Sequence, residues 1–170
     1  MNVDVGAVRR AREGNIESFE MVYAQVAPDL YKVALYTLGD AHDAEDAVSE
    51  AFLEAFKGIK NLRDENRFVP WIMKILSIRC KRKIGQYIKD KNSIDIDEII
   101  NLSAPEGDLT QRTEVLSALN QLKPEERLIV VLSVLQGYTT REIAGFLSGP
   151  QGTISSKLHR SLKKLREILS

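Results

Sequence analysis

The chain has 170 residues, 28% of them charged and 6% aromatic, and its 24 acidic and 24 basic side chains give a formal net charge of zero. This length allows one domain or two small ones, and the composition is typical of a soluble, helix-rich protein. The balanced charge argues against a protein that coats nucleic acid nonspecifically, because such binding depends on an excess of Lys and Arg. Any DNA binding must come from local basic patches.

Cysteine content and hydropathy narrow the class further. Cys80 is the single cysteine, so no disulfide can form within the chain. The start, MNVDVGAVRR, lacks the apolar core of a signal peptide, and the longest apolar run, residues 128–132, is far shorter than the roughly 20 residues that span a bilayer. We therefore expect a cytoplasmic protein without membrane insertion.

The first 40 residues predict helices that build a core. Residues 3–12 and 16–23 have the pattern of short amphipathic helices broken at Gly14 and Asn15. Pro28 is suited to open a third helix, which Gly39 ends. Its apolar side chains recur on one face: Leu30, Tyr31, Ala34, Leu35 and Leu38. We expect no chemistry from this part of the chain.

The next predicted helix has an acidic outer face. Asp43 is suited to cap its start. Apolar side chains recur every three or four residues and predict the buried face: Ala44, Ala47, Val48, Ala51, Phe52, Ala55 and Phe56. The outer face carries four carboxylates and one leucine: Glu45, Asp46, Glu50, Leu53 and Glu54. A solvated surface and a docking site for a basic partner both fit this pattern.

A polar loop and a basic helix follow. Residues 59–67, IKNLRDENR, break the periodicity and predict a loop. A helix over 68–88 then has an apolar stripe of Trp71, Ile72, Ile75, Ile78 and Ile84. Its exposed positions are crowded with the basic side chains Lys74, Arg79, Lys81, Arg82, Lys83 and Lys89. Trp71 fits a core residue better than a platform for stacking bases, and Cys80 is expected to be buried and unreactive.

Residues 90–112 predict a boundary between two domains, residues 1–89 and 113–170. Carboxylates mix there with Ser, Asn, Pro105 and Gly107, which is typical of an acidic linker or a disordered tether. In the second domain, Val115, Leu116, Leu119 and Leu122 share one helix face. Pro124 opens another helix that is apolar nearly all round over 128–135 and ends at Gly137.

The last 34 residues, 137–170, predict two helices joined by a tight turn. Thr139 and Glu142 form a capping box, and Gly149 and Pro150 end the first helix. The second, from Gly152 onward, has an apolar stripe of Ile154, Leu158, Leu162, Leu165 and Leu169 opposite a basic face. This is the form of a DNA-binding helix-turn-helix, although an ordinary helical hairpin has the same pattern. The predicted fold class is all-α, with two small helical domains joined by an acidic linker.

Several of these strings resemble one protein family. Residues 43–48 (DAEDAV), with Glu50 and Phe52, resemble region 2 of the extracytoplasmic-function (ECF) group of sigma-70 type transcription initiation factors. Residues 142–144 (EIA), 150–154 (PQGTI) and 156–166 (SKLHRSLKKLR) resemble region 4 of the same group. The resemblance covers roughly residues 16–88 and 113–168. It implies a bacterial protein that binds core RNA polymerase and directs promoter-specific transcription initiation.

The resemblance also implies three binding surfaces. The acidic helix would bind the beta-prime coiled coil of core polymerase through Asp43, Glu45, Asp46, Glu50, Leu53 and Glu54. The loop and the basic helix would bind the minus-10 element through Asn61, Arg63, Asn66, Arg67, Trp71, Lys74, Arg79 and Arg82. The last helix would bind the minus-35 element through Thr153, Ser156, Lys157, His159, Arg160, Lys163 and Lys164. The polymerase beta flap and an anti-sigma factor are further partners that the resemblance implies or allows.

Catalysis is not expected. His42, His159 and Cys80 are too few and too scattered for a zinc site, and no glycine-rich nucleotide-binding loop occurs. We therefore expect no cofactor, metal or small-molecule substrate. The alternative function is a stand-alone helix-turn-helix regulator that binds duplex DNA as a dimer without polymerase. The chain shows no obvious dimerisation helix.

Overall fold

The structure, a computed structural model, describes residues 2–91 and 109–170, with side chains described over 2–90 and 114–170. The elements in these ranges are helical, which confirms the all-α class. They are α1 (Val5–Arg12), α2 (Ile16–Leu38), α3 (Ala41–Gly58), α4 (Phe68–Lys91), α5 (Leu109–Asn120), α6 (Pro124–Val130), α7 (Thr140–Leu147) and α8 (Gln151–Leu169). Two 3₁₀ turns, Ile59–Asn61 and Glu65–Arg67, lie between α3 and α4, and a π-helical turn, Val131–Leu135, extends α6.

The second helix is longer than predicted. Pro28 does not open a helix but lies inside α2, which begins after the cap residue Asn15. A proline in a helix interior removes one hydrogen bond and costs about 3 kcal/mol. Val26 and Leu30 on either side of it are fully buried, so packing on the core offsets that cost. Gly39, whose φ is 71°, ends α2 as predicted.

The start of α3 also differs from the prediction. Asp40, not Asp43, is the cap residue, and its carboxylate accepts from the backbone N–H of Asp43 at 2.9 Å. Asp43 lies in the first helical turn, which leaves its carboxylate free to bind elsewhere. The small residues of α3 are buried as predicted. Phe56 is 43% exposed and was wrongly predicted to face inward.

Helix α4 buries one face through the centre of the first domain. Its fully or nearly buried side chains include Ile72, Leu76, Cys80 and Ile84, which are four residues apart. This spacing turns Ile78 to the opposite side of the helix, where it is 37% exposed. The prediction that Ile78 belongs to the apolar stripe was therefore wrong, whereas the burial of Cys80 is confirmed.

Helix α5 starts at Leu109, within the predicted linker of residues 90–112. Residues 92–108 of the predicted linker lie outside the described residues. Pro124 opens α6, and Gly137, with φ 74°, follows its π-helical extension. The division into residues 1–89, 90–112 and 113–170 stays a prediction.

The helix-turn-helix forms with small changes at its turn. The hydroxyl of Thr139 accepts from the backbone N–H of Glu142 at 3.1 Å, and the Glu142 carboxylate accepts from the Thr139 N–H at 2.8 Å, which confirms the capping box. The left-handed residue that ends α7 is Ser148, with φ 53°, rather than Gly149. Helix α8 then begins at Gln151, just after Pro150.

The two halves of the chain pack against each other. Helix α2 contacts α6, and α4 contacts α7. Lys81 of α4 donates to the carbonyl of Leu147, the last residue of α7, at 2.9 Å. The buried apolar side chains of both halves form one continuous cluster.

Candidate nucleic-acid and protein interfaces

The outer side of α3 is an exposed acidic face with an apolar centre. Glu45, Glu50 and Glu54 are exposed, and Asp43 and Asp46 are half-buried. Leu53 lies among them with 54% of its surface exposed. The alanines on the opposite side of α3 are buried in the core, so the acidic face points to solvent. The arrangement suits a partner that brings cations at the rim and an apolar side chain at the centre.

Basic side chains of α4 bind the edge of the acidic face. Arg79 donates to Glu54 from Nε at 2.9 Å and from Nη2 at 2.5 Å, and its Nη1 lies 3.7 Å from Glu50. Lys83 Nζ lies 3.8 Å from a carboxylate oxygen of Asp46. These pairs are partly solvated, so each contributes little stability. Their effect is to orient the carboxylates.

Asp43 has a different partner. Its carboxylate accepts a hydrogen bond from the hydroxyl of Tyr87 on α4. Burial first, and then this contact with Asp43, raise the pKa of the Tyr87 hydroxyl above its ordinary value. The phenol therefore stays protonated as the donor, and Asp43 is oriented toward α4 rather than fully outward.

The segment between α3 and α4 presents the predicted loop residues to solvent. Asn61, Arg63, Asn66 and Arg67 are all exposed. The carboxylate of Asp64 accepts from the backbone N–H of Asn66 at 3.0 Å and from its side-chain amide at 3.2 Å. The loop is therefore turned by local hydrogen bonds while its amide and guanidinium groups remain accessible.

Two arginines of α1 bind this loop. The sequence analysis did not predict them. Arg9 donates to Glu65 from Nε at 2.9 Å and from Nη2 at 2.7 Å. Arg12 donates to the carbonyls of Leu62 at 3.1 Å and Arg63 at 3.2 Å. Their spacing of three residues on a helix puts both on one side of α1. That spacing was the available signal, but it named no partner.

At the start of α4, Trp71 is half-buried and packs on the core, as expected for a core residue. Its ring centroid lies 5.9 Å from that of Phe68, and its edge lies close to Gly58. Lys74 and Arg82 are exposed further along the helix. The basic face of α4 thus offers Lys74 and Arg82 to an anionic partner, whereas Arg79 is already paired.

The predicted DNA-binding residues of α8 share one outer face. Those with exposed side chains are Thr153, Ser156, His159, Arg160, Lys163 and Lys164. The apolar stripe lies on the other side, where Ile154 is buried and Leu158, Leu162 and Leu165 are partly buried against the core. A helix with one packed side and one free polar side can enter a groove of DNA without disturbing its own domain.

Two lysines of this set already have partners inside the protein. Lys157 Nζ lies 3.1 Å from a carboxylate oxygen of Glu125. Lys164 donates to the backbone carbonyl of Gln121 at 2.7 Å. No such bond holds Arg160 or Lys163 in the part of the chain that the structure describes. Which of these side chains contact DNA stays a prediction.

An apolar groove runs between α5, the end of α6 and α8, and the sequence analysis did not predict it. Its volume is about 550 Å³. Val134, which is 58% exposed, and Leu169, which is 54% exposed, lie at its edges. Val115, Leu119, Leu135, Leu162 and Leu165 also line it. Exposed apolar surface of this kind marks a site for another protein or an apolar ligand.

Among the described residues, no group of His, Cys, Asp and Glu side chains has the geometry to hold a metal ion. No helix within 2–91 or 109–170 is long and apolar enough to cross a membrane.

Comparison with known families gives two matches. The family model "Sigma-70 region 2" matches residues 22–91, which include α3, the loop and α4. The family model "Sigma-70, region 4" matches residues 112–165, which include α7 and most of α8. Together the two matches contain most of the surfaces described above.

Individual proteins agree with these matches. The chain is 28% identical to RNA polymerase sigma factor CarQ of Myxococcus xanthus, over 95% of each chain. It is 29% identical to ECF RNA polymerase sigma factor SigE of Mycolicibacterium smegmatis, over 90% of this chain and 62% of the relative. The fold resembles that of the sigma factor RpoE from Bartonella quintana, solved in complex with the anti-sigma factor NepR. That comparison gives a TM-score of 0.71 at 24% identity, over 91% of this chain and 98% of the other.

Proposed function

Since the chain belongs to the ECF group of the sigma-70 family and so binds core RNA polymerase and directs promoter-specific initiation, we propose that this work is divided among three of its surfaces. The acidic face of α3 binds polymerase, the loop and α4 bind the minus-10 element, and α8 binds the minus-35 element. The presence of both sigma regions in one chain does not favour the stand-alone regulator.

The observation that carries the polymerase assignment is the exposure of Leu53 at the centre of the acidic face. Leu53 is 54% exposed among carboxylates, so a partner that covers it removes apolar surface from water. That burial stabilises the complex. The carboxylates around it would set the rate and orientation of encounter with a basic coiled coil. The beta-prime coiled coil of the polymerase is the partner that fits both features.

The minus-35 assignment depends on the free side chains of α8. Arg160 can donate to guanine O6 and N7 together, or grip a phosphate, whereas Lys163 supplies a point charge to the backbone. Thr153, Ser156 and His159 lie on the same face and would supply shorter polar contacts. Lys157 and Lys164 act mainly within the domain, because their amines are already bound to Glu125 and Gln121.

The minus-10 assignment depends on the loop and on α4. Once the duplex opens, Asn61, Asn66 and Arg67 can meet an unpaired base, and Lys74 and Arg82 can follow the backbone. Trp71 would support the loop from the core rather than stack on bases, since it packs against Phe68 and Gly58.

The apolar groove would hold a second polymerase element, the beta flap. The groove lies beside α8 but away from its DNA-facing side chains, so both partners can bind at once. The similarity to a sigma factor solved with NepR supports an anti-sigma protein that covers these polymerase surfaces when the signal is absent. A protein that does this work would act in the cytoplasm, with the polymerase.

Co-elution with core RNA polymerase on size exclusion tests this proposal. We expect a complex with the wild-type chain and none with Glu50→Lys combined with Leu53→Ser. Ile88→Ser is the matched control, because Ile88 is similarly exposed, at 58%, but lies on α4. A complex that survives the α3 changes would exclude the acidic face as the main polymerase contact. A complex that Ile88→Ser abolishes as well would show general damage to the fold.

A further inference from the structure

The loop that precedes α4 is bound by a pair of arginines on α1, here called the arginine clamp (Arg9 and Arg12). Both bind Glu65: Arg9 through Oε1, at 2.7 Å from Nη2, and Arg12 through Oε2, at 3.0 Å from Nη2. Arg12 also donates from Nη1 to the carbonyls of Leu62 and Arg63. The clamp therefore fixes both the backbone and one side chain of the loop.

These contacts form a network of two guanidinium groups around one carboxylate rather than an isolated surface ion pair. Only 15% of the Glu65 side chain is exposed, and each of its oxygens has a guanidinium partner. The hydrogen bond from Arg9, together with the charges of Arg9 and Arg12, lowers the pKa of Glu65 below its ordinary value. Glu65 therefore stays ionised near neutral pH, and charge-assisted hydrogen bonds of this kind are shorter and stronger than neutral ones.

The clamp binds the loop without covering its exposed groups. The backbone is held at positions 62 and 63, and Asp64 holds the side-chain amide of Asn66 at 3.2 Å. Asn61, Arg63 and Arg67 remain exposed. A loop of this length would otherwise lose considerable conformational entropy when it closes on a base, and that loss would weaken both affinity and discrimination.

We propose that the arginine clamp positions the loop for reading an unpaired base of the minus-10 element, without touching DNA itself. This inference rests on the proposed assignment of the loop to that element. Arg9 and Arg12 are positioning residues, which act through the backbone at 62 and 63 and through Glu65. Base discrimination at the minus-10 element then depends on α1, a helix that the family match at residues 22–91 does not include.

The test is in vitro transcription by the reconstituted holoenzyme on a promoter library that is randomised at both elements. Sequencing the transcribed templates gives a preference ratio for each base at each position. The variants are Arg12→Ala and Glu65→Gln, which break the clamp from opposite sides. Arg10→Ala is the matched control, because Arg10 lies on the same helix and its Nε donates to the Ser18 hydroxyl of α2 at 3.2 Å. Asn66→Ala reports on the loop itself.

We expect Arg12→Ala and Glu65→Gln to lower the preference ratio about fivefold or more at one or two minus-10 positions, the scale of a single mismatched base. Preferences at the minus-35 element, affinity for core polymerase and the melting temperature should match those of Arg10→Ala. If both variants give the same pattern, the clamp is supported, because the only contact that both substitutions disturb is the one between Arg12 and Glu65.

Three other results would overturn it in different ways. If Asn66→Ala flattens the minus-10 preference but both clamp variants keep it, the loop reads DNA and the clamp does not position it. If Asn66→Ala also leaves the preference unchanged, the loop assignment fails and the clamp inference falls with it. Equal losses at both promoter elements would show a general defect and would likewise contradict a positioning role.

Discussion

Arg79 of α4 gives two nitrogens to one carboxylate oxygen of Glu54 on α3, at 2.9 and 2.5 Å. The resemblance implies that Arg79 binds the minus-10 element and that Glu54 binds polymerase, so this pair joins two of the proposed surfaces. A guanidinium held in this way has fewer donors left for a phosphate. The geometry favours Arg79 as a residue that orients the acidic face of α3.

Arg79→Ala should therefore weaken binding to core polymerase while leaving the minus-10 preference unchanged. The free energy of unfolding should fall by about 0.5–1 kcal/mol, because both partners are partly exposed. Titration of labelled protein with core polymerase and denaturant unfolding measure the two effects. Lys74→Ala, at an exposed position of the same helix, should instead weaken promoter binding. Loss of minus-10 preference with unchanged polymerase affinity would show that Arg79 binds DNA.

Two neighbouring lysines of α8 should behave differently. Lys163 is exposed, whereas Lys164 donates to the carbonyl of Gln121 at the end of α5. If Lys163 contacts a phosphate, Lys163→Ala should lower the salt dependence of minus-35 DNA binding by about one ion, which changes the logarithmic slope by about 0.9. Lys164→Ala should leave the slope nearly unchanged and reduce the stability of the domain by about 0.5–1 kcal/mol.

A third substitution on α8, Arg160→Ala, tests whether this helix contacts bases. We expect it to reduce discrimination between minus-35 sequences by about 1–3 kcal/mol if the side chain contacts a base. The measurement is competitive binding of holoenzyme to promoter fragments with single substitutions in the element. An equal loss on every sequence would show that Arg160 contacts only the backbone.

The helices with strong periodicity and local caps were predictable from sequence. The capping box of Thr139 and Glu142 and the buried stripe of α3 involve residues three or four apart, so a short segment carries the whole signal. The prediction that Pro28 opens a helix was wrong, because the burial of Val26 and Leu30 around it depends on partners far along the chain. The same limit applies to Ser148, whose left-handed conformation ends α7 where this helix packs against α8.

The types of residue on the binding surfaces were predictable from sequence. Which of these residues bind one another was not. The resemblance placed Arg79, Lys157 and Lys164 on DNA-binding surfaces, and nothing in the sequence indicated that Glu54, Glu125 and Gln121 would bind them. Contacts of Arg9 and Arg12 with the loop span about 50 residues, from Arg12 to Leu62 and Arg63. The apolar groove is likewise formed by three helices from different parts of the chain. Such features depend on tertiary structure.

Cys80 should be almost inert to thiol reagents in the folded protein. It is fully buried, and burial raises the pKa of its thiol to about 12. At pH 8 only about one molecule in 10⁴ would carry the reactive thiolate, even if the reagent had access. We expect the rate of reaction with a coloured disulfide reagent to rise steeply only as denaturant unfolds the protein. Fast reaction under native conditions would show that the first domain opens readily around α4.

The contact between the two halves of the chain should break when a promoter is bound. Lys81 of α4 lies 2.9 Å from the carbonyl of Leu147 on α7, so the minus-10 and minus-35 surfaces are held close together. The two elements lie about 25 base pairs apart, or roughly 85 Å along straight duplex at 3.4 Å per step. A chain in the closed arrangement cannot reach both. Binding of a promoter by the holoenzyme should therefore separate α7 and α8 from α2 and α4.

Energy transfer between dyes on Glu20→Cys of α2 and Arg141→Cys of α7 measures this separation, since both positions are exposed and Cys80 should not react. We expect efficient transfer in the free protein and a large drop in the complex of core polymerase, this chain and a promoter. Dyes on Glu20→Cys and Lys32→Cys are the control, because one helix holds them about 18 Å apart in both states. Lys81→Ala should lower the transfer in the free protein, since α4 then loses its hydrogen bond to α7. Unchanged transfer in a holoenzyme that still initiates would mean that the closed arrangement is compatible with promoter recognition.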